Sequence, residues 1–435
     1  MVSLLEELQQ RDAEGRPIRV GLIGAGAMGV GIAWQVSRTP GMEIVFVGDI
    51  DRAAANVAVE KAGRVGIHLD QSGQLPVSPD DGAVMVTDDP LKLLGDETLA
   101  VDVIVEASNT IGPAARYCLA AVERGTDVIL MNAEVDLALG TLLQKEAAKT
   151  GAVVTSDAGD QHGVLKAMID EIRLWGFDIV QAGNMKGFLN RYATPEMMKE
   201  EAAKRNLSPV QCCAYTDGTK LSIEMSCLAN SEGLTPLVPG MEGPRAEHVS
   251  EVMELFDFSR YGDQGRVDYV LGGEPGPGVY VVGHCDDPLQ AGYMNYYKMG
   301  SGPFYLFYRP YHLCHVETPR AIAEAALHRR PLMTPKAGRL TDVFAYAKSG
   351  LPAGTEIEHG IGGPAFYGLI ETASDADEQG GVPVAVLEGE GEAKPRLRRD
   401  LGKDERLTWD AIELPDTFLW KRWQEEHRNN TSEKA

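Results

Sequence analysis

The 435 residues carry 41 Lys+Arg against 64 Asp+Glu, a formal net charge of −23. So acidic a chain argues against nucleic acid and anionic membrane surfaces, and any anionic substrate needs a local basic pocket. A hydrophobic share of 44% and a charged share of 24% are those of a globular protein, and the length predicts two or three domains.

The first segment, Met1 to Arg19, is amphipathic and acidic, without the basic start and small-residue cleavage site of a signal peptide. With no apolar run of spanning length anywhere, cytoplasm is the expected location. An apolar strand at 18–24 then runs into Gly24-Ala-Gly26-Ala27-Met28-Gly29, a helix carrying Val30, Ile32, Ala33 and Val36, and a second strand at 43–49. Strand, glycine-rich turn, helix and strand make up a dinucleotide fingerprint. Gly24 permits the turn, Gly26 lets the backbone approach a pyrophosphate, and Gly29 lets helix and strand pack closely. The helix opening at Ala27 and Met28 offers N–H groups to the phosphates. Asp49, twenty residues past Gly29, is placed to hydrogen-bond a ribose 2′-hydroxyl, which favours NAD(H). Arg52 is placed to meet a 2′-phosphate instead.

Further strands are predicted at 83–87, 101–106, 126–131 and 152–155, with an irregular excursion at 66–80 and helical periodicity between strands. The expected result is an α/β fold, a Rossmann doubly wound parallel sheet over 1–155, with ligands beyond the carboxyl ends of its strands. Ser108 and Asn132 follow two of those ends and are expected on the nicotinamide side. Glu134, Asp157 and Asp160 follow the last two; as an all-oxygen set they suit magnesium or manganese, or else they serve as helix caps, capping being the better reading for Asp136. His162 reads as an ordinary helix-start histidine.

Residues 156–340 are expected to form an α+β substrate and oligomerisation domain: a helix at 162–175, a strand ending in Asn184-Met-Lys186, a helix opening at Thr194-Pro195, another at 218–229, and strands at 267–271, 278–284 and 304–308. A last helix near 319–328 is expected to return to the first domain. Lys186, Asn190 and Arg191 suit an anionic group, the other reading being a solvated basic turn. Lys220 and Glu224 share a helix face, where Lys220 can donate a proton to a carbonyl oxygen or form an ion pair. The six cysteines show no C-x-x-C spacing, so neither zinc nor a disulfide framework is indicated, and Cys212-Cys213 reads as packing. After about 340 the chain turns Gly/Pro-rich, with Ala347-Lys-Ser-Gly-Leu-Pro-Ala-Gly354 and Leu397-Arg-Arg-Asp400-Leu-Gly. This 341–435 segment resembles a SAF domain, a small β-clip module.

The segment Gly183-Asn-Met-Lys-Gly-Phe-Leu-Asn190-Arg-Tyr followed by Asp217-x-x-Lys220-Leu resembles homoserine dehydrogenases. Joined to a SAF-like end, the chain from Ile18 to Leu414 resembles the 1-deoxy-D-xylulose 5-phosphate reductoisomerase-like enzymes. That resemblance implies an NADP(H)-dependent homodimer that uses a divalent metal to convert a phosphorylated ketose into 2-C-methyl-D-erythritol 4-phosphate for isoprenoid synthesis. It departs from the ordinary reductoisomerases at Asn132-Ala-Glu134, where a lysine is missing, and in the spacing of Asp157 and Asp160. On this reading Lys186, Lys220, Asp157 and Glu134 carry the catalysis, Asp160, Gln161, Asn190 and Arg191 hold the substrate, and Glu134, Asp157 and Asp160 hold the metal. The alternatives are a homoserine-dehydrogenase-like enzyme acting on another small hydroxy acid or polyol, and a non-catalytic dinucleotide sensor with a SAF binding module.

Overall fold

The computed structural model describes residues 3–68, 83–205 and 207–432. They divide into two compact units. The first holds the chain to Asp160 together with Leu313–Thr334; the second holds Gln161–His312 and Pro335–His427.

The first unit is built on seven parallel strands: β1 (Ile18–Ile23), β2 (Met42–Gly48), β3 (Val65–His68), β4 (Ala83–Thr87), β5 (Val103–Glu106), β6 (Asp127–Leu130) and β7 (Val154–Ser156). Their order is β3-β4-β2-β1-β5-β6-β7, so the direction of winding reverses between β1 and β5. Strands covered on both faces need near-continuous apolar runs, and β1, β2, β5 and β6 have them. The edge strand β3 was not expected; it occupies the start of the excursion read at 66–80, the rest of which lies outside the described residues. The helix Cys314–His328 belongs to this unit and packs on the helix Ala27–Arg38. The contact is close: a Cβ on Gly31 would stand 2.6 Å from the His315 ring.

The second unit contains a mixed sheet in the order β12-β11-β8-β10-β9. Its strands are β8 (Asp178–Lys186), β9 (Arg245–His248), β10 (Arg266–Glu274), β11 (Val279–His284) and β12 (Phe304–Arg309). β10 runs parallel to β8 and β9, whereas β11 is antiparallel to both β8 and β12. The helix Thr219–Glu232 is buried almost all round, as a helix with neighbours on every side must be. It packs against the helix Gln161–Leu174, strand β10 and the antiparallel pair β13 (Thr341–Ala347) and β14 (Phe366–Thr372). The segment expected as a separate module after 340 thus lies in the same compact unit as residues 161–312. Among the described residues no helix is long and apolar enough to cross a membrane.

Candidate active site

At the carboxyl end of β1, each fingerprint glycine has a distinct steric reason. Gly24 has φ +95°, and a Cβ there would lie 2.6 Å from the carbonyl carbon of Ala107 and the nitrogen of Ser108. A Cβ on Gly29 would strike the Gly24 carbonyl oxygen at 1.9 Å, so turn and helix touch backbone to backbone. At Gly26 a Cβ would meet nothing within 4 Å. That space fits a pyrophosphate, as does the N-cap, where Gly26 supplies no capping side chain to the helix that Ala27 and Met28 open.

Asp49 follows β2 and turns back on this loop: one carboxylate oxygen accepts the Ala25 N–H at 2.6 Å and the other the Asp51 N–H at 2.8 Å. The carboxylate is therefore held at the turn by two backbone donors. Arg52 opens the next helix and pairs with Asp88 at 2.7 Å, a carboxylate just past β4. The arginine expected to receive a 2′-phosphate is already engaged by an acidic neighbour.

The ends of β5 and β6 carry a linked polar set. Ser108 donates its N–H to Glu106 at 3.1 Å, and its hydroxyl lies 3.1 Å from that of Thr110. Asn132 caps the helix Ala133–Thr150 by accepting from Val135, and its amide donates to the Thr110 carbonyl at 2.7 Å. Asn132 thus ties the end of β6 to the loop after β5. It also takes the capping place expected of Asp136, which instead turns inward to accept from the Ser156 hydroxyl. Glu106 is fully buried, and its Oε2 has no hydrogen-bond partner among the described residues. Burial pushes its carboxyl up to about 7, the Glu134 charge adds to the rise, and bonds to Ser108 and Asn132 oppose it.

Asp157 is likewise fully buried and pushed up to about 7 by burial, even though one of its oxygens accepts the Gly159 N–H at 2.7 Å. Asp160 is buried nearby and adds its charge to that rise. Among the described residues, Glu134, Asp157 and Asp160 do not gather into a three-ligand group.

In the second unit, two clusters far apart in sequence meet. Lys186, the last residue of β8, reaches Gln161 Oε1 at 3.2 Å and Glu224 Oε2 at 4.0 Å. The Lys186 side chain is 14% exposed and that of Glu224 only 2%. The fully buried Asn184, two residues earlier on the same face of β8, donates to the same Gln161 oxygen. With that oxygen receiving two donors, the other end of the amide is the NH2 group, which lies 3.1 Å from His312 Nε2. Lys220 is buried one helical turn before Glu224. Asn190 closes its own turn by accepting the Tyr192 N–H, and the exposed Arg191 lies over the Tyr367 ring at 5.9 Å.

The opposite stripe of the Thr219–Glu232 helix binds the C-terminal strands. The Thr219 hydroxyl accepts from Gly368 N at 2.8 Å, and that of Ser222 donates to Gly368 O at 3.1 Å. Ser226 meets the Thr341 hydroxyl at 2.7 Å, while Asn230 exchanges bonds with the Thr341 backbone at 2.8 and 3.0 Å. At the head of the helix, Asp217 forms a buried ion pair with Lys348 at 2.8 Å. Lys348 also donates to the carbonyls of Ala193 and Gly363, both at 2.7 Å. His312 carried no sequence signal; Glu106 and Lys348 stand within the strand end and the Gly/Pro-rich segment read from the sequence, with nothing to single them out there, whereas the 219, 222, 226, 230 spacing of small polar residues marks a stripe.

Residues 159–318 match the family model described as oxidoreductase DRL, catalytic domain. The chain is an NAD(P)-dependent oxidoreductase. No curated protein matches it. Among solved structures it is similar to a putative myo-inositol dehydrogenase from Sinorhizobium meliloti (14% identity, 74% of this chain, 93% of that chain, TM-score 0.42). It is also similar to myo-inositol dehydrogenases from Corynebacterium glutamicum (13%, 71% and 88%, TM-score 0.41) and from Lactobacillus casei in complex with NAD(H) and myo-inositol (15%, 74% and 90%, TM-score 0.41). The family match corrects the reductoisomerase-like resemblance and the isoprenoid role it implied: residues 159–318 match the model described as oxidoreductase DRL, catalytic domain.

Proposed function

We propose that this oxidoreductase interconverts an alcohol and a carbonyl in a small polyol or hydroxy acid, with NAD(H) as the redox partner and Lys186 as the proton-handling group. The observation that supports it most directly is the Lys186 ammonium, largely buried between the Gln161 amide oxygen and the Glu224 carboxylate. When bound, the dinucleotide supplies or accepts the hydride.

In the reducing direction, Lys186 Nζ hydrogen-bonds the substrate carbonyl oxygen and gives it a proton as the carbon is reduced. Glu224 stabilises the ammonium before that transfer. In the oxidising direction the lysine amine takes the hydroxyl proton back. Gln161, Asn184 and His312 hold Lys186 in place through the shared amide. Acceptors and neutral donors of this kind suit neighbouring hydroxyl groups. Asp49 supports NAD(H) over NADP(H), as does the pairing of Arg52 with Asp88. The segment read as SAF-like, 341–435, is proposed to be such a module, on the strength of its short antiparallel strands.

The test is a panel of polyols and hydroxy acids assayed with NAD(H) and NADP(H). Lys186→Met should bind NADH with unchanged affinity by fluorescence titration yet lose at least a hundredfold in kcat, in the range of proton-transfer catalysis. Full turnover by Lys186→Met would overturn the assignment of the proton to Lys186.

A further inference from the structure

The helix Pro288–Tyr296 in the second unit has a proper start, with Pro288 in its first turn and Asp287 accepting the Gln290 N–H at 2.9 Å, yet not one of its residues is buried. A helix of nine residues is marginal in water by itself, and most helical stability in proteins comes from packing one face. Here that face is uncovered. Leu289 is 70% exposed, Tyr296 75% and Tyr297 67%, and Tyr293 and Trp175 are exposed beside them. The patch extends beyond the helix: the Gln290 amide reaches the Trp175 carbonyl at 3.5 Å, and the Trp175 ring lies 5.8 Å from that of Phe307 on β12.

We infer that this face docks onto the same face of a second copy of the chain, forming a two-fold dimer. The argument is independent of the homodimer implied by the reductoisomerase resemblance, and of the proposed reaction. Area is the first support. Aromatic side chains bury roughly 150–250 Å² each, so the four rings, half to three-quarters exposed, contribute on the order of 500 Å². Leu289 and its apolar neighbours extend this toward the roughly 800 Å² per partner of a standard interface, beyond the few hundred usual for a monomer's patch. Charge is the second. From Pro288 to Tyr308 the only ionisable residue with a full charge at neutral pH is Lys298, in a chain of net charge −23. Two such acidic molecules approach best on an uncharged face. A polyanionic partner or an anionic lipid would require more cations than this one. Composition is the third, since tyrosine, tryptophan and methionine are the residues enriched at protein interfaces. A single patch meeting its own copy closes a two-fold contact.

The experiment is sedimentation velocity on the full chain from 0.5 to 50 μM, alongside the double variant Leu289→Glu/Tyr296→Glu. The expected wild-type species has twice the 47.0 kDa chain mass. The double variant, whose altered side chains are exposed, should dissociate at least a hundredfold more readily while keeping its far-UV circular dichroism and NADH affinity. Tyr296→Ser gives a milder second reading, with a smaller shift in the same direction. A wild-type monomer at 50 μM would overturn the inference, as would a dimer that survives both glutamates. Flotation of a monomeric wild type with neutral phosphatidylcholine vesicles would overturn it in favour of a lipid surface.

Discussion

Glu106 offers a test of how the first unit tolerates charge beside its cofactor edge. It is fully buried, one oxygen accepts the Ser108 N–H, and burial raises its carboxyl from 4.5 to about 7. A carboxyl raised in the folded state binds its proton more tightly there than in the unfolded chain. Its stabilising contribution is complete below about pH 4.5 and disappears as pH rises through about 7. A rise of this size, at about 1.4 kcal/mol per pH unit, corresponds to about 3 kcal/mol. Glu106→Gln keeps the shape and the acceptor for Ser108 but cannot ionise. The difference in unfolding free energy between variant and wild type should therefore swing by about 3 kcal/mol in favour of glutamine between pH 4.5 and 9. Asp157, also raised to about 7, and Asp136 and Asp268, each raised to about 6, titrate in both proteins, so the comparison removes them. Urea unfolding of the full chain without cofactor, followed by circular dichroism at five pH values, measures the swing. A difference that stays flat across this range, or that grows with falling pH, would refute the reasoning.

Gly26→Val should leave the melting temperature nearly unchanged, because its Cβ meets nothing within 4 Å, yet abolish NADH binding in calorimetry by filling the space for the pyrophosphate. Asp49→Asn should weaken NADH by about tenfold or more, the worth of a hydrogen bond to a charged group, and narrow the preference for NADH over NADPH in the ratio of their kcat/KM values. Lys348→Met leaves Asp217 buried without its cation and should cost about 3–5 kcal/mol in denaturant unfolding. Adding Asp217→Asn should recover a large part of that loss; no recovery would mean that the carbonyl bonds of Lys348 matter more than its charge.

The Rossmann half was legible because its requirements are local. Gly29 meets Gly24 only five residues back, and the reason for both glycines is steric. What escaped were interactions supplied from a distance. Arg52 looked available for a phosphate because its carboxylate, Asp88, is 36 residues away past another strand. The edge strand β3 escaped because both its end residues are exposed and it has no apolar run to mark it. Asp136 was read as a cap because it stands near a helix start; Asn132, four residues earlier, has the capping geometry, and Asp136 points to Ser156.

The second unit shows the same limit more sharply, because its cluster depends on a helix whose position a distant segment sets. Lys186 and Glu224 are 38 residues apart, and neither spacing nor composition predicts their approach to 4.0 Å. Glu224 can stand there only if the Thr219–Glu232 helix is fixed in both rotation and height. The stripe of Thr219, Ser222, Ser226 and Asn230 fixes both by hydrogen-bonding along the helix to Gly368 and Thr341. Gly368 has to be glycine for this contact, since a Cβ would stand 2.9 Å from the Thr219 methyl and 2.5 Å from Val343. Asp217 and Lys348 pin the end of the helix nearest Lys220. The C-terminal segment, which reads in the sequence as an appended binding module, is therefore part of what holds Glu224 against Lys186.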